Sequence, residues 1–160
     1  MTELRLLAHS EADTDRLGRE LAERADSVLA GAGLVVGLSG TLGAGKTRFV
    51  QAIAEAWGYD REQVVSPTFV LCHEYHGGRQ SLYHLDAYRI RDDDEFLELG
   101  VEEMFAANAW VIIEWAERVR DCLPSDRMEI DIQVRDDDSR GFVFRATGDA
   151  SQSVLRSLCK

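Results

Sequence analysis

The sequence predicts an α/β fold, a three-layer sandwich whose central sheet is mixed, largely parallel and edged by antiparallel hairpins. Three observations carry this reading. Gly40-Thr41-Leu42-Gly43-Ala44-Gly45-Lys46-Thr47 meets the phosphate-loop pattern G-x-x-x-x-G-K-[ST] at every fixed position. The apolar run Leu34-Val35-Val36-Gly37-Leu38 before it has the character of a buried strand, and Phe49, Val50, Ile53, Ala54 and Trp57 after it recur at helical spacing. Further along, apolar strand patterns intermix with short helical ones, the arrangement of a sheet covered on both faces. One domain suits 160 residues, and 45% apolar content suffices for one core.

In chain order, Leu4 to Ala8 reads as a short strand. Ser10 caps the next helix, with Ser10-x-x-Asp13 resembling a capping box; Leu17, Leu21 and Val28 mark its inner face and Gly31 ends it. Gly31-Ala32-Gly33 turns into the loop strand, and the helix after the loop stops at Trp57 with Gly58 beyond it. Val64 to Phe69 is extended or turning, because Pro67 lacks an N–H and biases Ser66 away from helix. A strand through Val70 to Tyr75, a turn at Gly77-Gly78 and a strand from Ser81 to Asp86 form a hairpin. Asp92-Asp93-Asp94 caps a short helix from Glu95 to Leu99, stopped by Gly100, and another covers Val101 to Phe105. Trp110 to Glu114 is a buried-strand pattern that ends in a carboxylate, and a helix from Ala116 to Cys122 is closed by Pro124. Met128, Ile130, Ile132 and Val134 alternate with polar residues, Asp136 to Ser139 turns, and Phe142, Phe144 and Ala146 alternate on the return strand. Ser151 to Leu158 forms a terminal helix.

A net charge of −11 argues against a broad contact with a phosphate backbone, which calls for a basic face, but leaves room for a small basic pocket. Cys72, Cys122 and Cys159 are scattered and include no C-x-x-C pair, so neither a zinc site nor a disulfide framework is expected; reduced thiols in a cytoplasmic protein are the simpler reading. No signal peptide and no membrane span is expected.

A strand, a glycine loop and a helix in series aim backbone N–H groups and a helix N-terminus at a phosphate. Lys46 would reach the β- and γ-phosphates, and the Thr47 hydroxyl would ligate Mg²⁺. The cation needs a carboxylate at the end of a neighbouring apolar strand, and Glu114 and Asp86 both end such runs. One acid would serve the metal while the other positions the attacking water. Ser66 and Thr68 could sense a γ-phosphate or belong to a plain proline turn. His84 reads as a core histidine in preference to a proton shuttle, and Arg89 as either a phosphate or hairpin clamp or a surface ion pair. Trp115 either packs or touches nucleotide or a partner. The sole asparagine, Asn108, is followed by Ala109, which rules out the guanine-reading N-K-x-D motif, and L-S-G-G-Q is absent. ATP is the nucleotide by elimination. Three functions suit these residues: an ATPase acting on a protein complex, a small-molecule phosphotransferase, and a nucleotide-gated binding module with negligible hydrolysis.

Leu42 to Thr47, Ser66-Pro67-Thr68-Phe69, His84-Leu85-Asp86-Ala87-Tyr88-Arg89, Glu98-Leu99-Gly100 and Ile113-Glu114-Trp115, in that order and spacing, resemble the TsaE family of bacterial ATPases that help make threonylcarbamoyladenosine in tRNA. Ser10, Thr14, Leu17 and Gly18 fit the family's front helix. The resemblance implies ATP and Mg²⁺ as cofactors, with nucleotide held by Gly40, Leu42, Gly43, Ala44, Gly45, Lys46, Thr47 and Arg48. It implies metal contacts from Thr47 and Glu114, a catalytic set of Lys46, Asp86 and Glu114, a switch-like segment at Ser66 and Thr68, Trp115 beside the nucleotide and Thr14 on the adenine side. It further implies TsaB and TsaD as partners, reset by ATP hydrolysis, and tRNA reached indirectly through them. Arg48 stands where the family often has a second threonine, with little effect expected.

Overall fold

A computed structural model describes residues 2–160. The elements are β1 (Thr2–Ala8), α1 (Glu11–Leu29), β2 (Val35–Gly40), α2 (Lys46–Ala56), a 3₁₀ turn (Arg61–Gln63), β3 (Cys72–Tyr75), β4 (Leu82–Asp86), α3 (Asp93–Leu97), α4 (Val101–Ala106), β5 (Trp110–Glu114), a 3₁₀ segment (Ala116–Cys122), β6 (Met128–Val134), β7 (Arg140–Ala146) and α5 (Asp149–Leu158). The seven strands form one sheet in the order β1-β7-β6-β2-β5-β4-β3. Strands β6, β2, β5 and β4 are mutually parallel. The β3–β4 and β6–β7 hairpins and the β1–β7 pair are antiparallel. No described helix is long and apolar enough to cross a membrane.

Two cores make the three layers. Val36, Leu38, Trp110 and Ile112 point to one face, where they meet Leu21 of α1, Phe49 and Ile53 of α2 and Leu155 of α5. Val35, Val111 and Ile113 point to the other, against Phe96 of α3, Val101 of α4 and Val119. Burial on both faces is why β2 and β5 read as unbroken apolar runs without alternation. Helices α1 and α2 approach closely at Gly18, where an added Cβ would lie 2.7 Å from the Ala52 Cβ and 3.1 Å from the Phe49 carbonyl oxygen. This contact carries α1 alongside the phosphate-loop helix.

Several boundaries differ from the sequence reading for local reasons. Ser10 caps α1 by accepting from the Asp13 N–H, but Asp13 reaches back to the N–H of His9 instead of Ser10, so the reciprocal bond spans one residue more than a capping box. The hairpin strand begins at Cys72 and not at Val70. The Leu71 N–H closes a turn onto the Pro67 carbonyl, and Leu71 takes φ 71°, which breaks the extended run. Helix α3 covers Asp93–Leu97, capped by the Asp92 carboxylate. Ala116–Cys122 is not a regular α-helix but two 3₁₀ pieces kinked at Val119 (φ −129°, ψ 24°). Cys72, Cys122 and Cys159 are unpaired, and burial pushes the Cys72 and Cys122 thiols up to about 11, which suits inert structural thiols.

Helix α5 starts two residues earlier than its sequence pattern because Asp126, arriving just before β6, caps it from outside. Its carboxylate accepts from the N–H groups of Ala150 (2.9 Å) and Ser151 (3.1 Å). Burial alone would raise the Asp126 pKa, but the two backbone N–H bonds outweigh it and hold the carboxyl below its usual range. A depressed folded-state pKa stabilises above the unfolded value of about 3.9 and loses that contribution as pH falls through the folded one. Asp126→Ala should therefore cost about 1 kcal/mol near neutral pH, a drop of roughly 2–4 °C in Tm. The difference should shrink below about pH 4, and Asp126→Asn, which keeps an acceptor, should recover most of the loss. Thermal unfolding across pH checks this.

Candidate nucleotide-binding site

The site lies at the carboxyl ends of the parallel strands, where an open α/β sheet binds ligands. Strand β2 ends at Gly40 and α2 begins at Lys46, so residues 41–45 arch over the sheet edge. Gly45, the residue before α2, takes φ 106°, and no side chain caps the helix behind it. The first-turn N–H groups of α2 are thus left for a ligand. Lys46, only 5% exposed, donates from Nζ to the carbonyl oxygens of Gly40 (2.6 Å) and Thr41 (3.0 Å). Burial lowers its pKa, opposed by the carboxylates of Glu114, Glu117, Asp86 and Asp131.

Parallel pairing of β4 with β5 sets Asp86 beside Glu114 in register. Both carboxylates are buried, each with its own donors. Glu114 accepts from the Thr47 hydroxyl at 3.0 Å on each oxygen and from His84 Nε2 at 2.6 Å on Oε2. Asp86 Oδ2 accepts from the hydroxyls of Ser66 (3.1 Å) and Thr68 (2.9 Å), and Oδ1 from the Tyr88 N–H (2.8 Å). The Ser66–Thr68 segment is therefore tied to the end of β4, and α2 holds its approach through the Gln51 amide on the Val64 carbonyl (2.8 Å).

Trp115 follows Glu114 with φ 59°, a left-handed conformation that is rare for a bulky residue and concentrated at functional sites. It turns the chain so that the indole lies 4.0 Å from Lys46 Nζ and 4.9 Å from the Tyr88 ring. Together Leu42, Gly43, Thr47, Asp86, Tyr88 and Trp115 help line a cleft of about 440 Å³. A second cleft of about 520 Å³, lined by Thr14, Ala44, Asp138 and Arg140 among others, opens on the other side of the loop and shares Gly43, Gly45 and Arg48 with the first.

The donor set fits Mg²⁺ with a nucleotide. Mg²⁺ prefers hard oxygen ligands and completes its shell with water and phosphate oxygens. Thr47 and Glu114 supply such oxygens side by side, and among the described residues no group of three or more His, Cys, Asp or Glu could cage a metal alone. Every residue anticipated at the site except Gly40 lines one of the two clefts; Gly40 lines neither, and its carbonyl accepts from Lys46 Nζ. Arg48 differs in its partners: its guanidinium pairs with Asp15 (2.9 Å) and Glu11 (2.6 Å), and Arg61 also reaches Asp15. Among the described residues Arg89 makes no ion pair and no hydrogen bond to a strand; its guanidinium lies 4.5 Å over the exposed Phe69 ring. His84 is a core histidine by burial and a site residue by contact. Its parity with Asp86 on one strand is the sequence signal that points to the same face. Arg140, which bonds the Ala44 carbonyl (3.2 Å), carries no such signal.

Asp86→Ala removes the acceptor shared by Ser66 and Thr68. Hydrogen exchange of residues 66–71 should quicken by about tenfold or more, since a hydrogen bond to a charged group contributes about 1.5–3 kcal/mol, while β2 and β5 keep their protection.

The family described as Threonylcarbamoyl adenosine biosynthesis protein TsaE matches residues 8–142. A relative from Bacillus subtilis (strain 168), named tRNA threonylcarbamoyladenosine biosynthesis protein TsaE, is 39% identical over 128 residues, covering 80% of this chain and 79% of the relative. A Treponema pallidum (strain Nichols) protein of the same name is 38% identical over 137 residues, 86% of this chain and 96% of the relative. The crystal structure of Bacillus subtilis YdiB superposes with a TM-score of 0.80 at 30% identity, covering 99% of this chain and 95% of that one. With the family's match spanning residues 8–142 and relatives 38–39% identical over most of its length, the chain belongs to the TsaE family.

Proposed function

We propose that this protein is a Mg²⁺-dependent ATPase that supports threonylcarbamoyl modification of adenosine in tRNA by resetting a TsaB–TsaD complex in the cytoplasm. The observation that carries the chemistry is the buried Glu114 carboxylate on the Thr47 hydroxyl, beside the uncapped start of α2. The relatives' printed names carry the pathway. In this reading the loop N–H groups and Lys46 hold the β- and γ-phosphates of ATP, and Thr47 and Glu114 hold Mg²⁺. The ion, when bound, neutralises phosphate charge. Asp86 orients the water that attacks the γ-phosphorus, giving ADP and phosphate. Ser66 and Thr68, already on Asp86, couple the state of that carboxylate to the exposed Phe69 and Val70. Thr14 and Arg140 line the cleft that would take the nucleoside. The acidic balance suits a protein that reaches tRNA through its partners.

ATP turnover of the purified chain should be low alone and rise when TsaB and TsaD are added, because a lone phosphate-loop domain often lacks part of its charge-stabilising set. Lys46→Ala and Glu114→Ala should each lower the stimulated rate by about 10²-fold or more. No stimulation by the partners, together with normal tRNA modification in a Lys46→Ala strain, would overturn the proposal. Phosphate appearing on an added metabolite would favour a phosphotransferase instead. Unharmed function in an Asp86→Ala strain would favour a nucleotide-gated binding module.

A further inference from the structure

His84 is fully buried, and one of its ring nitrogens has no task in the fold: among the described residues Nδ1 finds no hydrogen-bond partner. The other nitrogen, Nε2, makes the ring's single bond, 2.6 Å to Glu114 Oε2. That bond runs diagonally across the sheet, because His84 is in register with Ile112 and Glu114 with Asp86. A side chain needed only for packing would be apolar in this setting, since burying a polar ring with one nitrogen unpaired is unfavourable. The bond acts on something the rest of the site leaves loose. The terminal torsion of a glutamate is broad and does not settle into sharp rotamers, so packing alone fixes the plane of a carboxylate poorly. The Thr47 hydroxyl sits 3.0 Å from both oxygens and does not distinguish them. Asp86, two residues along β4, is committed to Ser66, Thr68 and the Tyr88 N–H, and so does not compete for the imidazole. His84 is thus the group that separates the two Glu114 oxygens, holding Oε2 from the interior while Oε1 has only the shared Thr47 hydroxyl among the described residues.

We propose that His84 is a positioning residue that sets the plane of the Glu114 carboxylate so that Oε1 and the Thr47 hydroxyl converge on the divalent cation of the bound nucleotide. The inference rests on the nucleotide reading above. Carboxylates and imidazoles that orient a metal ligand from behind commonly change metal affinity by 10- to 100-fold when removed.

Two variants separate positioning from packing. His84→Gln keeps an N–H donor at similar reach, whereas His84→Leu fills the space without one. His84→Asn, whose amide stops short of Glu114, replaces His84→Leu if the latter does not fold. The first readout needs no nucleotide: a long-range ¹H–¹⁵N correlation spectrum of the ¹⁵N-histidine-labelled chain should show the His84 proton on Nε2. The second is titration of the chain with Mg²⁺ at fixed fluorescent ATP, alongside nucleotide binding in EDTA. His84→Leu should shift the Mg²⁺ midpoint upward by about tenfold or more with nucleotide affinity in EDTA unchanged, and His84→Gln should recover most of the shift. An unshifted midpoint in His84→Leu, no recovery in His84→Gln, or a His84 proton on Nδ1 alone would overturn the positioning role. Wild-type protein whose nucleotide binding is indifferent to Mg²⁺ would overturn the nucleotide reading itself and this inference with it, and that result appears before any variant is compared.

Discussion

The Glu114 carboxylate is the constraint on which the site turns. An ionisable group 3% exposed at the end of a central strand is unfavourable unless hydrogen-bond donors meet it. Here they come from two different elements, the Thr47 hydroxyl from the first turn of α2 and the His84 imidazole from β4. Meeting the carboxylate therefore locks the phosphate-loop helix to two neighbouring strands. The arrangement is asymmetric: Thr47 is shared across both oxygens and available to a cation, while His84 holds one oxygen closely from the interior.

The second carboxylate is treated differently. Asp86 lies beside Glu114 in register, yet its donors come from a segment at the surface, the hydroxyls of Ser66 and Thr68. Two adjacent acids thus have separate environments, one met by donors from α2 and β4, the other tied to a loop carrying the exposed side chains of Phe69 and Val70. Separate environments are how one fold gives neighbouring carboxylates separate tasks. Lys46 lies over the Trp115 ring, where burial works against its charge and the surrounding carboxylates, both of these acids included, sustain it. Positive φ at Trp115 is strain of the kind that persists only where neighbouring structure enforces it.

Much of this was legible in the sequence because its signals are local. The phosphate loop is a contiguous pattern, and Val111-Ile112-Ile113-Glu114 announces both a buried strand and the acid at its end. Pairing Asp86 with Glu114 needed only the rule that ligands gather at the carboxyl ends of parallel strands. What escaped depends on contacts distant in sequence or on strained backbone. The Asp126 cap on α5 spans more than twenty residues, and Arg48 is drawn to Glu11 and Asp15 of α1 across the helix pair. The late start of β3 follows from the left-handed Leu71, and the kink at Val119 from backbone angles that no residue pattern encodes. His84 was visible as a buried histidine, but its partner lies on another strand and becomes evident only once the β4–β5 register is known.

A crystal structure of the chain with Mg²⁺ and a non-hydrolysable ATP analogue tests the central claim most directly. The triphosphate should lie along Gly40 to Thr47, with the Thr47 hydroxyl about 2.1 Å from the cation and Glu114 in its coordination sphere, directly or through one water. A triphosphate seated elsewhere, or a cation contacting neither Thr47 nor Glu114, would contradict it.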